Sequence, residues 1–385
     1  MPLFSNLQSD LEHRAAQGLL RRRRALESAQ GARVVVVEGK SCLSFCSNDY
    51  LGLANHPRVI AAMRRGAERY GAGSGASHLV SGHFAAHEEL ENALAAFARK
   101  PAALLFSTGY LANFGAVQAL VGRDDTIFAD RLNHASLNDA MLLSRAEVKR
   151  YRHNDPAHLE QLLATASRGR KLVITDAVFS MDGDLAPLPE LLALCERYDA
   201  WLLVDDAHGF GVLGREGRGA LAHFNLDSPR IIYMATLGKA AGVAGAFVAA
   251  ESIVIETLIQ QARSYIYTTA SPPALAAATL ESLALLREEE GRRERLQKLI
   301  AQLHTSLSGL PWTLMPSTTP IQPLLIGENE AAVTLSEALR ERGIWVPAIR
   351  PPTVPQGTAR LRISLSAAHE EADVARLVEM LREMI

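Results

Sequence analysis

Trp201-Leu202-Leu203-Val204-Asp205-Asp206-Ala207-His208-Gly209 begins with four apolar residues and ends on two acids, a histidine and a glycine. A short apolar run bounded this way reads as a strand buried on both faces. In open α/β sheets, ligands lie beyond the carboxyl ends of such strands. Asp205 therefore stands where a ligand would sit, and Asp206 must point elsewhere. A carboxylate there also suits a helix N-cap or a metal ligand, so the strand end alone leaves its role open.

Outward from this stretch, apolar runs predict strands at 102–106, 126–129, 171–175, 230–235 and 244–250. Helical patterns separate them at 87–99, 111–121, 134–143 and 189–198. Pro189 suits a first helical turn, where its missing N–H costs nothing. This alternation predicts an α/β fold with a mostly parallel central sheet covered by helices. Upstream lie an amphipathic helix over 3–30, a hairpin from Val34 to Cys46 around Gly39-Lys40, and a helix over 57–70. Gly71 to Gly82 is a glycine- and serine-bearing loop. After Pro272-Pro273 the pattern changes to helix over 274–307, interrupted near Gly291. Strands at 321–326, 344–349 and 359–365 follow, with helices at 330–342 and 369–384. The expected division is an N-terminal segment 1–45, a large domain 46–271 and a small α+β domain 272–385.

The 385 residues are 48% hydrophobic and 21% charged, with a formal net charge of -2. That describes an ordinary soluble globular protein and gives no reason to expect a nucleic acid or a membrane as partner. The run Arg21 to Arg24 reads as a solvated helix face. Cys42, Cys46 and Cys195 have no metal-ligand spacing and suit packing roles in a reducing compartment. No signal-peptide core or membrane-length apolar run is present, so a cytoplasmic protein is expected. No metal is expected: His83 and His87 are four apart, but Phe84 stands where a zinc-protease motif needs glutamate. Gly71, Gly73 and Gly75 follow no clear strand and make no dinucleotide fingerprint.

Lys239 is one of six lysines, in Thr236-Leu237-Gly238-Lys239-Ala240-Ala241-Gly242-Val243-Ala244-Gly245-Ala246. The other five have polar or charged neighbours and read as solvated. Desolvation of Lys239 would favour the neutral amine, the form that condenses with an aldehyde. Taken alone, it reads equally as a chance surface lysine. Phe106-Ser107-Thr108-Gly109-Tyr110 lies between a strand and a helix, a place suited to phosphate. A lysine, an acid and a phosphate cradle together are what pyridoxal 5′-phosphate requires.

The stretches 205–209, 211–214, 217–219 and 236–239 resemble those of the α-oxoamine synthases, pyridoxal-phosphate enzymes of fold type I. Ser47-Asn48-Asp49-Tyr50-Leu51-Gly52-Leu53, Phe179-Ser180-Met181-Asp182-Gly183-Asp184 and Tyr267-Thr268-Thr269-Ala270-Ser271-Pro272-Pro273 are similar too. The resemblance spans the chain. It implies that Lys239 carries the cofactor as a covalent aldimine and that Asp205 pairs with the pyridine nitrogen. His208 is then the partner of the ring 3′-oxygen, and His134 stacks on the ring. It further implies Gly109, Tyr110, Thr236 and Ser180 as cofactor contacts, with Thr268 and Thr269 reaching a neighbour's phosphate in a homodimer. Arg21, Asn48, His134, Thr353 and Arg362 are implied substrate contacts, Arg362 holding an α-carboxylate. The stretches 131–136, 321–324, 349–355 and 358–362 resemble the branch that joins L-alanine to a pimeloyl thioester in biotin synthesis. The thioester is carried on coenzyme A or on a carrier protein. Ala241 departs from the larger residue common there, Ala240 stands where glycine also occurs, and Tyr110 replaces a phenylalanine of some relatives. A sister synthase using glycine or serine, an aminotransferase, and a catalytically inert binding protein are the competing readings.

Overall fold

The computed structural model describes residues 2–21, 23–36, 39–166 and 169–385. Arg22 of the basic run and Val37 and Glu38 of the expected hairpin lie outside them.

The chain forms two units. The larger comprises Leu53–Ser180 and Asp184–Arg293; the smaller comprises Met1–Gly52, Met181–Gly183 and Glu294–Ile385. These units differ from the expected division at 45 and 271. The N-terminal segment joins the C-terminal one because strand Ser41–Ser44 pairs in parallel with Ile344–Trp345. Arg33 also donates to Asp373 Oδ1 at 2.6 Å. The other boundary moves because helix Pro273–Glu288 packs on helix Pro57–Tyr70 within the larger unit. Gly66 permits that approach: a Cβ there would lie 2.9 Å from Ala274 Cα and Ala277 Cβ.

The larger unit is built on seven strands. Their order is Ala102–Phe106, Ala246–Ala250, Ile231–Thr236, Trp201–Asp205, Lys171–Asp176, Thr126–Asp130 and Glu147–Tyr151. All pairs are parallel except those of Ala246–Ala250, which runs antiparallel to both neighbours. The expected mostly parallel sheet is therefore present. Leu104, Val117, Ile127, Ile174, Leu203 and Val248 are among the buried side chains that join it to its helices. Each such burial contributes about 1.5–3 kcal/mol. Strand Glu147–Tyr151 escapes the sequence reading because it is an edge strand carrying charges, which protect an edge from pairing but hide it from an apolar search.

Three adjacent strands, Trp201–Asp205, Lys171–Asp176 and Thr126–Asp130, each end in an aspartate. Asp176 and Asp205 are direct partners in the ladder. The sheet thus gathers three carboxylates at the ends of neighbouring strands.

The smaller unit holds a three-stranded sheet and a four-stranded one ordered Thr313–Leu314, Ile321–Gly327, Ala359–Ser364 and Ala348–Ile349. The expected strand 344–349 is two strands in different sheets, separated at Pro347, which has no N–H to continue a ladder. The expected helix over 3–30 stops at Ala16. Gly18 takes φ +66° and the Leu19 N–H turns back to Arg14 O at 2.8 Å, a wrapped helix end. Arg21, Arg23 and Arg24 are therefore not on a helix face. The helical stretch after Pro273 breaks at Glu289, between Pro273–Glu288 and Glu290–Ser306, close to Gly291 as expected.

Two other expectations meet the structure. Lys100, read as solvated, is buried and donates to Ser228 O at 2.8 Å. His87 uses both ring nitrogens on backbone, Nδ1 accepting from Phe84 N–H at 3.1 Å and Nε2 bonding Ser271 O at 2.8 Å. His78 and His83 bond each other through their Nδ1 atoms at 2.8 Å. The three rings lie together, with His87 tied to the backbone through both nitrogens. The Cys46 and Cys195 thiols are pushed up to about 12 by burial, which suits packing. Among the described residues, no helix is long and apolar enough to cross a membrane.

Candidate active site

Lys239 sits in a turn between two neighbouring strands of the large sheet. The turn is closed by the Leu237 N–H to Gly245 O at 2.9 Å, Val243 N–H to Leu237 O at 3.0 Å and Gly242 N–H to Lys239 O at 2.8 Å. Gly242 takes φ +69°, and a Cβ there would lie 2.4 Å from Ala54 N, so only glycine fits. Ala240 and Ala241 are buried beneath, and Ser282 Oγ donates to Ala241 O at 2.6 Å. Their small size serves this close packing. The Lys239 side chain is half-buried, with Nζ 2.8 Å from His208 Nε2. His208 lies on the loop that leaves strand Trp201–Asp205, so the strand order alone brings the two together.

Asp205 is buried, and both of its oxygens are engaged. Oδ1 accepts the Ala207 N–H at 3.0 Å and Oδ2 accepts Asn113 Nδ2 at 2.7 Å. Asp206 points away, as its place beside Asp205 required. Its Oδ2 takes the Ala220 N–H and the Tyr233 hydroxyl, both at 2.7 Å. Burial lifts its pKa to about 7 against those donors.

His134 caps helix Ala135–Ser144, and its backbone N–H donates to Asp176 Oδ2 at 2.8 Å. Burial, then the charge of Asp205, hold the Asp176 carboxyl well above the usual range. Although the His134 residue is exposed by surface area, desolvation of its ring lowers its pKa. Asp205 opposes that shift and Lys239 adds to it. His134 and Asp176 thus both feel Asp205 and Lys239, which places the four in one electrostatic group.

Helix Gly109–Leu120 begins beside this group. Thr108 caps it by accepting the Leu111 N–H at 3.2 Å. A Cβ on Gly109 would lie 3.8 Å from Thr236 Cβ. Gly109 and Thr236 therefore flank a helix N-terminus, a place that favours an anion. Tyr110 is exposed, and its hydroxyl donates to Asp139. Ser180 is the last residue of the first large-unit segment. Thr268 is half-buried and Thr269 exposed, on a stretch tied to the glycine loop by Ala270 N–H to Ala76 O at 3.0 Å.

The remaining residues lie in the smaller unit. Arg362 is buried on strand Ala359–Ser364, with its Nη1 3.2 Å from Asn48 Oδ1 and its Nη2 3.4 Å from the Tyr50 hydroxyl. Arg21 and Thr353 line one cavity of about 420 Å³ with Arg14 and Arg350.

A neighbouring histidine was not visible in the sequence. His153 bridges Asp130 at 3.1 Å and Asp184 at 2.8 Å. Burial alone would lower its pKa, but the two carboxylates outweigh it and push it up to about 9. For a histidine raised in the folded state, the added stability is complete below the ordinary value near 6.5 and is lost as pH rises through about 9. Denaturant unfolding at pH 6 and pH 9.5 is expected to show a loss about 1–3 kcal/mol greater in the wild type than in His153→Gln. Equal losses would dismiss the bridge as a source of stability.

An amine beside a histidine, a carboxylate fixed at a strand end and a glycine-flanked helix N-terminus together match the functional groups of pyridoxal 5′-phosphate. Comparison with known proteins agrees. Residues 40–381 match the profile of the aminotransferase class I and II family. A protein of Nitrosospira multiformis named 8-amino-7-oxononanoate synthase is 64% identical, over 98% of this chain and 95% of its own. The chain belongs to the 8-amino-7-oxononanoate synthase family. A solved structure of a family member from Francisella tularensis has a TM-score of 0.77 at 33% identity, covering 89% of this chain and 97% of that one. A structure of serine palmitoyltransferase with its PLP internal aldimine has a TM-score of 0.93 at 31% identity, covering 99% and 97%. Membership in the synthase family makes this a fold type I pyridoxal-phosphate enzyme and removes the reading as an inert binding protein.

Proposed function

We propose that the protein joins L-alanine to a pimeloyl thioester, forming 8-amino-7-oxononanoate and releasing carbon dioxide and the free thiol. The observation that carries the chemistry is Lys239 Nζ at 2.8 Å from His208 Nε2, in one electrostatic group with Asp205 and His134. The choice of substrates is supported by relatives of 62–64% identity that bear the synthase name.

When bound, pyridoxal 5′-phosphate supplies an electron-accepting ring to the amino acid joined to it. Lys239 would hold the cofactor, and its amine would take the proton from alanine Cα and later return one to the same carbon. Asp205, fixed by two donors, would keep a proton on the ring nitrogen. His208 orients the Lys239 amine and hydrogen-bonds the ring oxygen. Gly109, Tyr110, Thr236 and Ser180 would hold the cofactor, the helix N-terminus favouring its phosphate. His134 covers the ring and donates to the oxygen that gains charge as the thioester carbonyl is attacked. Arg362, with Asn48 beside it, holds the α-carboxylate; Arg21 and Thr353 receive the acyl chain. In a cytoplasmic homodimer, Thr268 and Thr269 reach the phosphate of the neighbouring subunit.

A sister reaction using glycine or serine remains the second reading, because serine palmitoyltransferase shares the fold. Mass spectrometry of products from alanine, glycine or serine, each with pimeloyl-CoA or a pimeloyl carrier protein, separates the two. The expected product arises from alanine; a product from glycine or serine alone overturns the assignment. Light scattering of the same preparation is expected to give twice the chain mass, and a fully active monomer would refute the shared phosphate site.

A further inference from the structure

Asn113 lies one helical turn after Gly109, so the helix that offers its N-terminus to a phosphate also presents Asn113 on the same face. Its side chain is fully buried. Nδ2 donates to Asp205 Oδ2 at 2.7 Å and to Ser136 Oγ at 2.9 Å. Ser136 Oγ is in turn 2.8 Å from His134 Nδ1. Among the described residues, the Asn113 Oδ1 atom has no hydrogen-bond partner. A buried acceptor left unsatisfied is uncommon and is a cost that both Nδ2 bonds must offset.

We infer that Asn113 is a positioning residue that fixes Asp205 and, through Ser136, sets the tautomer of His134. The direction of every bond follows from the carboxylate. Asp205 can only accept, so the amide must turn its NH2 group inward and not its oxygen. The second amide hydrogen then occupies a lone pair of Ser136 Oγ. The serine proton is left to donate to His134 Nδ1, which also receives the Ser136 N–H at 3.3 Å. His134 Nδ1 is therefore an acceptor, and the neutral ring carries its hydrogen on Nε2. Desolvation, which lowers the His134 pKa, keeps the ring neutral. The Asp205 side chain, through Asn113 and Ser136, thus prepares a histidine with a donor at its far edge.

This rests on the proposed roles of Asp205 and His134 as cofactor contacts. Its test has two independent readouts. Nitrogen-15 NMR of histidine-labelled holoenzyme, with the His134 signals assigned from His134→Gln, is expected to show hydrogen on Nε2. Ser136→Ala is expected to give a mixture of tautomers while leaving the dissociation constant of pyridoxal phosphate within about twofold. Asn113→Leu removes both donors at similar volume. It is expected to weaken pyridoxal phosphate about tenfold, the scale of one charge-assisted bond, and to raise the pH at which the bound cofactor's absorption titrates. A wild-type His134 carrying hydrogen on Nδ1, or an Asn113→Leu variant that binds the cofactor as tightly as wild type, overturns the inference. Should Asn113→Leu not fold, the wild-type and Ser136→Ala spectra decide it. Failure of wild type itself to take up pyridoxal phosphate would count against the functional reading instead, and the tautomer would still test the relay.

Discussion

Lys239→Ala is expected to lower kcat/KM by about 10⁴-fold or more, the upper range for a positioned acid–base group. That corresponds to about 5.5 kcal/mol of lost transition-state stabilisation. The reason is that one amine serves twice, holding the cofactor and moving the Cα proton. His208 Nε2, 2.8 Å away, orients that amine. The purified variant is also expected to lose the absorption of covalently held cofactor, while its unfolding midpoint changes little because Lys239 is only half-buried. Retention of that absorption would show that another residue carries the cofactor.

Asp205→Asn is expected to reduce kcat by about 10²–10³-fold, the range for removing one preorganised electrostatic contact. The substitution keeps the shape and removes the charge. The single amide oxygen can serve only one of the Asn113 and Ala207 donors, at 2.7 and 3.0 Å, so a modest loss of stability is expected beside the loss of rate. The loss should fall on proton removal from alanine, seen as slower exchange of the Cα hydrogen with solvent deuterium. An unchanged exchange rate would dismiss Asp205 as the partner of the ring nitrogen.

Much of the larger unit was legible because its central strands are unbroken apolar runs, such as Trp201-Leu202-Leu203-Val204. The edge strand Glu147–Tyr151 was not, since only one of its residues is buried. The unit boundaries were also hidden. They depend on the pairing of Ser41–Ser44 with Ile344–Trp345, a contact that no local pattern announces. The same limit applies at the site. Lys239 and Asp205 stood out through their immediate neighbours. Asn113, Ser136 and Asp176 are ordinary residues in a helix and at a strand end. They gain their roles only when the sheet places Asp176 opposite Asp205 and the helix lays Asn113 against it. Lys100 shows the converse: charged neighbours in the sequence did not keep it in solvent.

The smaller unit's dependence on both ends of the chain has a consequence for synthesis on the ribosome. Arg33 must wait for Asp373, 340 residues later, before their bond can form. At about 5–20 residues per second, that delay is roughly 20–70 s. Meanwhile Leu43 and Phe45, at 2% and 0% exposure in the finished protein, have no completed sheet to cover them. The larger unit's last residue, Arg293, emerges well before that sheet can close. The nascent chain therefore carries an open, sticky strand for most of its translation, making its first residues the natural point of call for a chaperone.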